Sequence, residues 1–132
     1  MDCQKFISEF LKSNGENTIL KTIDEGKVWS VLTPFLDNHN DFIEIYILKT
    51  EDNLRLTDNG YTLANLQMSG VQMNSEKRES IISTVLNDFS VKINSNDEFF
   101  VEATTENICQ KKNFLLQAIL AVNSMFNEQN AA

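Results

Sequence analysis

Three carboxylates in this chain, Asp41, Glu44 and Asp58, have types and spacings that could do chemistry. Asp41 opens a strand pattern, Glu44 lies on that strand's second face, and Asp58 closes the next strand, so a tight hairpin would bring all three toward one end of a sheet. Converging carboxylates hold hard divalent cations, and Mg²⁺ or Mn²⁺ held so activates water against a phosphodiester. These three are therefore the candidate catalytic residues of a metal-dependent, nucleic-acid-processing enzyme. A second chemistry uses an overlapping set. Asp37, Asp41, Glu51, Asp52 and Asp58 all fall at turns, where they would form an acidic binding surface for a basic protein partner.

Each candidate also has a structural reading. Asp and Asn at turns accept hydrogen bonds from nearby backbone N–H groups, and Gly60 accepts a positive φ, which accounts for Asp37 and Asp58. Glu44 could pair with Arg55 across adjacent strands. Asp37-x-His39-x-Asp41 begins like a calcium loop, but Leu48 stands where the closing bidentate acid belongs and the central glycine is absent. His39 is the only histidine and Cys3 and Cys109 lie far apart, so no zinc pattern forms and both thiols are expected free. Cys109 reads as a small apolar filler. The four glycines are scattered, which argues against a phosphate-cradling loop. Trp29, Phe35 and Tyr46 could stack bases but are spaced as core residues. No metal site and no cofactor is assigned.

Composition narrows the class. A chain of 132 residues with 42% apolar and 23% charged residues fits one globular domain spanning 1–132, with a flexible tail expected to fray over about 127–132. The net charge of −8 disfavours direct binding to a phosphate backbone, which calls for a Lys/Arg surface. No apolar run approaches the ~20 residues of a membrane span, and MDCQKFISEF contains no signal-peptide core, so the expected location is cytoplasmic.

The elements that must position these residues follow from periodicity. Phe6, Ile7, Phe10 and Leu11 predict an amphipathic N-terminal helix over 3–13. Strands are expected at 27–35, 42–49 and 53–57, forming a three-stranded antiparallel meander, with Pro34 at a strand end or edge. Thr62 is the expected cap of a short helix ending near Gly70, and a longer helix spans about 75–89. Strands at 91–93 and 99–101 make a second hairpin around residues 94–97. Thr105 is the expected cap of a last helix, whose wide apolar face, Ile108 through Phe126, suits a central position or a homodimer contact. The fold class is α+β.

Thr33-Pro34-Phe35, Asp37, Asn40-Asp41, Ile45-Tyr46, Leu56-Thr57-Asp58 with Gly60, and Leu116-Gln117-Ala118 resemble an uncharacterised bacterial and phage family, domain of unknown function eighteen twenty-eight. The resemblance covers most of residues 28–122 and implies a setting in mobile elements, where small proteins serve or counter defence systems. Combined with the acidity, it implies a phage protein that inhibits a nucleic-acid-directed defence effector of CRISPR or restriction type. An antitoxin or adaptor would share the same surface. The order helix, meander, helix also resembles restriction-endonuclease cores. Those place an acid two residues before a lysine on the third strand, whereas this strand reads Leu54-Arg55-Leu56-Thr57-Asp58.

Overall fold

The computed structural model describes residues 19–24, 28–71 and 75–131. Six strands, β1 (Ile19–Asp24), β2 (Val28–Leu36), β3 (Phe42–Lys49), β4 (Leu54–Thr57), β5 (Lys92–Ile93) and β6 (Phe99–Ala103), form one antiparallel sheet in the order β1-β2-β3-β4-β6-β5. Among the described residues, three helices, α1 (Tyr61–Met68), α2 (Glu76–Asp88) and α3 (Ile108–Ala131), join the sheet in an α+β fold. The expected helix over 3–13 lies outside the described residues. The helical backbone of α3 continues to Ala131, through the stretch where the sequence turns polar.

One expectation about the sheet changes, and one point the sequence left open is answered. The meander has four strands, because residues 19–24, given no element from sequence, pair with β2 from Ile19↔Leu32 to Asp24↔Val28. ILKTID lacks a clean two-residue alternation, so only its partner makes it a strand. The second hairpin joins the same sheet by laying β6 against β4, with Thr57 opposite Phe100.

β3 explains how the core is built. Ile43, Ile45 and Ile47 are buried while Glu44, Tyr46 and Leu48 are half-exposed, the period of two that a sheet covered by helices on one face requires. Trp29, Val31, Leu56, Phe99 and Val101 join the same core, which α3 closes with Leu115, Ala118, Ile119 and Val122. α3 packs against β4, β6, α1 and α2, the central position its wide apolar face calls for. The Trp29 ring fills the interior at the expense of an indole N–H with no hydrogen-bond partner among the described residues.

Pro34 sits where no ladder donor is needed. The β1 pairing stops at Leu32, and the β2–β3 register shifts between Leu32 and Leu36. The Thr33 hydroxyl bridges that irregularity, donating to the Ile43 carbonyl at 2.8 Å and accepting from the Phe35 N–H at 3.3 Å.

The helix starts correct two assignments. Thr62 is not the cap of α1. It lies inside the first turn, and the residue before the helix, Gly60, has φ 82 and no capping side chain. Asp58 supplies the acceptor instead, as described below. Thr105 is not the cap of α3, which begins at Ile108 behind Asn107. The Asn107 carbonyl accepts from Lys111, and its side chain turns back to accept from the Thr104 N–H at 2.7 Å. A two-residue offset of this kind arises when a turn precedes the helix and competes for the same Thr/Asn chemistry. α2 follows expectation, with Ser75 accepting from Arg78 N–H and Ile82 and Leu86 buried.

α1 and α2 end alike. Val71 N–H returns to the Leu66 carbonyl and Gly70 N–H to Gln67, while Val91 returns to Leu86 and Ser90 to Asn87. These are Schellman closures, which need a left-handed residue after the cap. Gly70 meets that need with φ 90, whereas Ser90 adopts φ 59.

Candidate functional site

Antiparallel pairing puts the start of β3 and the end of β4 at one end of the sheet, and there α1 begins and the second half of α3 passes by. Between them lies a cleft of about 300 Å³. Asp41, Glu44 and Asp58 all line it, as the hairpin geometry requires, together with Asp37, Phe42, Tyr46, Tyr61, Asn65 and Asn123. Glu51 and Asp52 are not part of this surface. They occupy the β3–β4 turn at the opposite end of an eight-residue strand, roughly 25 Å away. The five turn acids therefore divide between two poles.

The acids that share the cleft have different work. Asp58 is 2% exposed. Its Oδ1 accepts from Gly60 N–H and Phe99 N–H, both at 2.9 Å, and its Oδ2 accepts from Thr62 N–H at 3.2 Å. One carboxylate thereby ties the end of β4 to the start of α1 and the start of β6. Burial pushes its pKa above the ordinary value, and hydrogen bonds from Thr62, Gly60 and Phe99 pull the other way. Asn59 and Gly60, both at positive φ, form the tight turn that lets the chain reverse within this span, closed by Tyr61 N–H to the Asp58 carbonyl at 3.2 Å.

Asp37 is similarly occupied. Its Oδ1 accepts from His39 N–H and Asp41 N–H at 2.8 and 3.1 Å, and its Oδ2 accepts from the Asn65 side chain at 3.1 Å. The β2–β3 loop is then fastened to both helices: Asn38 Nδ2 donates to the Asn123 carbonyl at 3.2 Å, and His39 Nε2 lies 3.1 Å from the Asn65 carbonyl. The same nitrogen lies 3.0 Å from the Ser69 hydroxyl. His39 is an exposed loop residue with an anchoring contact.

Asp41 is exposed and Glu44 half-exposed, and their carboxylates are the ones left to face a ligand. The expected Glu44–Arg55 pair does not form. β4 ends opposite Tyr46, so Glu44 lies beyond it, and Arg55 stands opposite Leu48. Arg55 instead reaches across to Glu102 on β6, with Nε 2.8 Å from Oε1, and lies over the Phe100 ring at 4.4 Å. Half-exposed at both partners, that ion pair contributes little to stability.

Aromatic side chains complete the cleft. The Tyr46 and Tyr61 rings lie 6.2 Å apart at 36°. Burial pushes the Tyr46 phenol well above its ordinary pKa, and the neighbouring Glu44 carboxylate pushes it the same way. Tyr61 is 52% exposed and Phe42 54% exposed. Among the residues weighed as base-stackers, Trp29 is core, Tyr46 belongs to the cleft, and Phe35 is exposed. Cys109 is half-exposed on α3 and packs against the core; Cys3 lies outside the described residues.

Tyr61, Asn65 and Asn123 escape sequence reasoning. Asn123 carries the one available signal, an amide placed four residues after Ile119 and next to Val122 on an otherwise apolar face. Chemically, this end of the molecule offers two available carboxylates, a tilted tyrosine pair and a buried amide. Among the described residues, no group of three His, Cys, Asp or Glu side chains could hold a metal ion. No described helix is long and apolar enough to cross a membrane.

The model of a family described as Domain of unknown function DUF1828 matches residues 33–122, which run from within β2 to within α3 and include every residue of the cleft but Asn123. No curated protein and no solved structure matches the chain.

Proposed function

The chain belongs to the DUF1828 family, and from that premise we propose that it is a binding module that captures a basic protein surface at the cleft end of its sheet. The observation that carries this reading is the company kept by Asp41 and Glu44. Leu36 and Phe42, both exposed, stand opposite one another across β2 and β3, and Phe42 and Tyr61 both border the cleft. Exposed aromatic side chains beside charged groups match the composition of protein interfaces. The net charge of −8 adds long-range attraction for a cationic partner. In its narrower form the partner is the nucleic-acid-binding surface of a defence effector of CRISPR or restriction type, where the acidic end would compete with phosphates and the chain would act as an inhibitor from a phage or mobile element.

The metal-dependent enzyme has less support. Asp58 would have to serve as a ligand, yet three of its roughly four lone-pair sites already accept backbone N–H groups. Among the described residues, neither Lys nor Arg lines the cleft to stabilise a pentacovalent phosphate.

Capture experiments with salt and nuclease controls test the binding reading. A tagged chain should retain a stoichiometric protein partner that resists nuclease and is weakened by salt. Asp41→Lys with Glu44→Lys should release it without unfolding the domain, while Glu51→Lys with Asp52→Lys, at the far pole, should leave it bound. Equal loss from both double variants would show that net charge alone governs retention, and the cleft end would lose its claim.

A further inference from the structure

Resting on that binding reading, we infer that the cleft is a receptor for a single arginine side chain presented by the partner. The volume of about 300 Å³ is small for a cofactor and suits one long side chain. Its chemistry calls for a cation that is also flat and rich in donors. Asp41 and Glu44 supply the negative charge, and the tilted Tyr46–Tyr61 pair supplies ring faces on which a guanidinium can stack.

Asn123 is the independent observation. It is 6% exposed and lines the cleft, and among the described residues its side-chain amide makes no hydrogen bond. Its backbone carbonyl is already taken by Asn38. Among the described residues Trp29 Nε1 is the one side-chain polar atom both sealed from solvent and without a partner, so the Asn123 amide opens into the cleft, where a ligand can meet its donor and its acceptor. The five N–H groups of a guanidinium can reach the Asn123 oxygen and the Glu44 carboxylate together, whereas a lysine ammonium is a compact, strongly hydrated point charge that matches neither the rings nor the amide.

The test is an NMR titration of the full chain with N-acetyl-arginine methylamide, the lysine and citrulline counterparts, and MgCl₂. The arginine probe should shift the Asn123 side-chain amide and the Tyr61 ring resonances. Lysine should bind more weakly, and citrulline, which keeps the shape and lacks the charge, should leave both resonances in place. Tyr61→Ala, a change at an exposed position, should weaken the arginine response roughly fivefold, the size of one ring–cation contact of about 1 kcal/mol. Asn123→Leu should remove the preference of arginine over lysine; if that variant fails to fold, Tyr61→Ala decides alone. An arginine response no larger than that of lysine overturns the inference, as does one insensitive to Tyr61→Ala or one that MgCl₂ reproduces at the same resonances. Partner capture that is lost in Asp41→Lys with Glu44→Lys but unchanged in Tyr61→Ala leaves the binding reading standing and removes the arginine receptor. An arginine-specific response in a chain that captures no partner does the reverse.

Discussion

Replacing Asp58 by alanine should be among the most damaging single changes available in the loops of this protein, although the residue is an aspartate beside a turn. Alanine would strip the acceptor from three backbone N–H groups, those of Gly60, Thr62 and Phe99. Gly60 is half-exposed and water can replace the lost partner, but Phe99 and Thr62 are buried at 0% and 4% exposure. Two buried donors left unmet cost about 1–3 kcal/mol each, so the variant should lose about 2–6 kcal/mol. For a domain of this size, a mid-range loss of about 4 kcal/mol lowers Tm by roughly 15 °C. Asp58→Asn keeps one oxygen for Gly60 and Phe99 and turns an amide toward Thr62, which should cost about 1–3 kcal/mol. Asp41→Ala is the control: Asp41 is an exposed acid bordering the same cleft, and its loss should change stability by no more than about 0.5 kcal/mol. Urea unfolding followed by circular dichroism reads all three. If Asp58→Ala loses no more than Asp41→Ala, the account of Asp58 as the tie between β4, α1 and β6 is wrong.

The same carboxyl predicts a pH dependence. Its pKa is raised above 3.8 in the folded state, so the fold binds that proton more tightly than the unfolded chain does. The associated stability is present in acid and lost as pH rises through the folded value; wild type should therefore gain on Asp58→Asn between pH 7 and pH 4, read from urea midpoints. Lys112, buried on α3, has its pKa lowered from 10.5, chiefly by burial. Its contribution grows as pH rises toward 10.5, so Lys112→Met should equal or exceed wild type at pH 7, with the difference narrowing by pH 10 in thermal melts. Ser90→Gly should raise stability by about 0.5–1 kcal/mol, because Ser90 holds φ 59 where glycine carries no Cβ penalty; an unchanged urea midpoint would contradict the assigned helix closure.

Sequence patterning is most informative where one physical signal dominates. Ile43, Ile45 and Ile47 declare β3 because burial on one face leaves no other period, and Ser75 declares the start of α2 because an extended serine before a helical stripe has one job. It fails where two signals compete. Thr62 looks like a cap for α1, but an acid four residues earlier accepts from the N–H of Thr62 itself and from two others, and the helix starts before Thr62. β1 has no pattern of its own and takes its state from β2. The convergence of Asp41, Glu44 and Asp58 on one cleft is legible from the hairpin alone, because antiparallel pairing dictates it. Their division into two solvent-facing acids and one buried tie is not, since it depends on β6, which arrives 41 residues later to present Phe99 N–H to Asp58. Asn123 and Tyr61 are out of reach for the same reason: α1 and α3 meet the sheet only in three dimensions.

The seam between β4 and β6 also has a temporal meaning. Every other contact between neighbouring strands in this sheet joins consecutive strands, whereas this one closes a loop that contains two helices. Loop-closure entropy delays such a seam, so the β1–β4 meander should form early in folding, with docking of β5, β6 and α3 following as a later event. Asp58 would then act after the rate-limiting step. Its removal should accelerate unfolding far more than it slows refolding, making this carboxylate a determinant of how long the native molecule lasts.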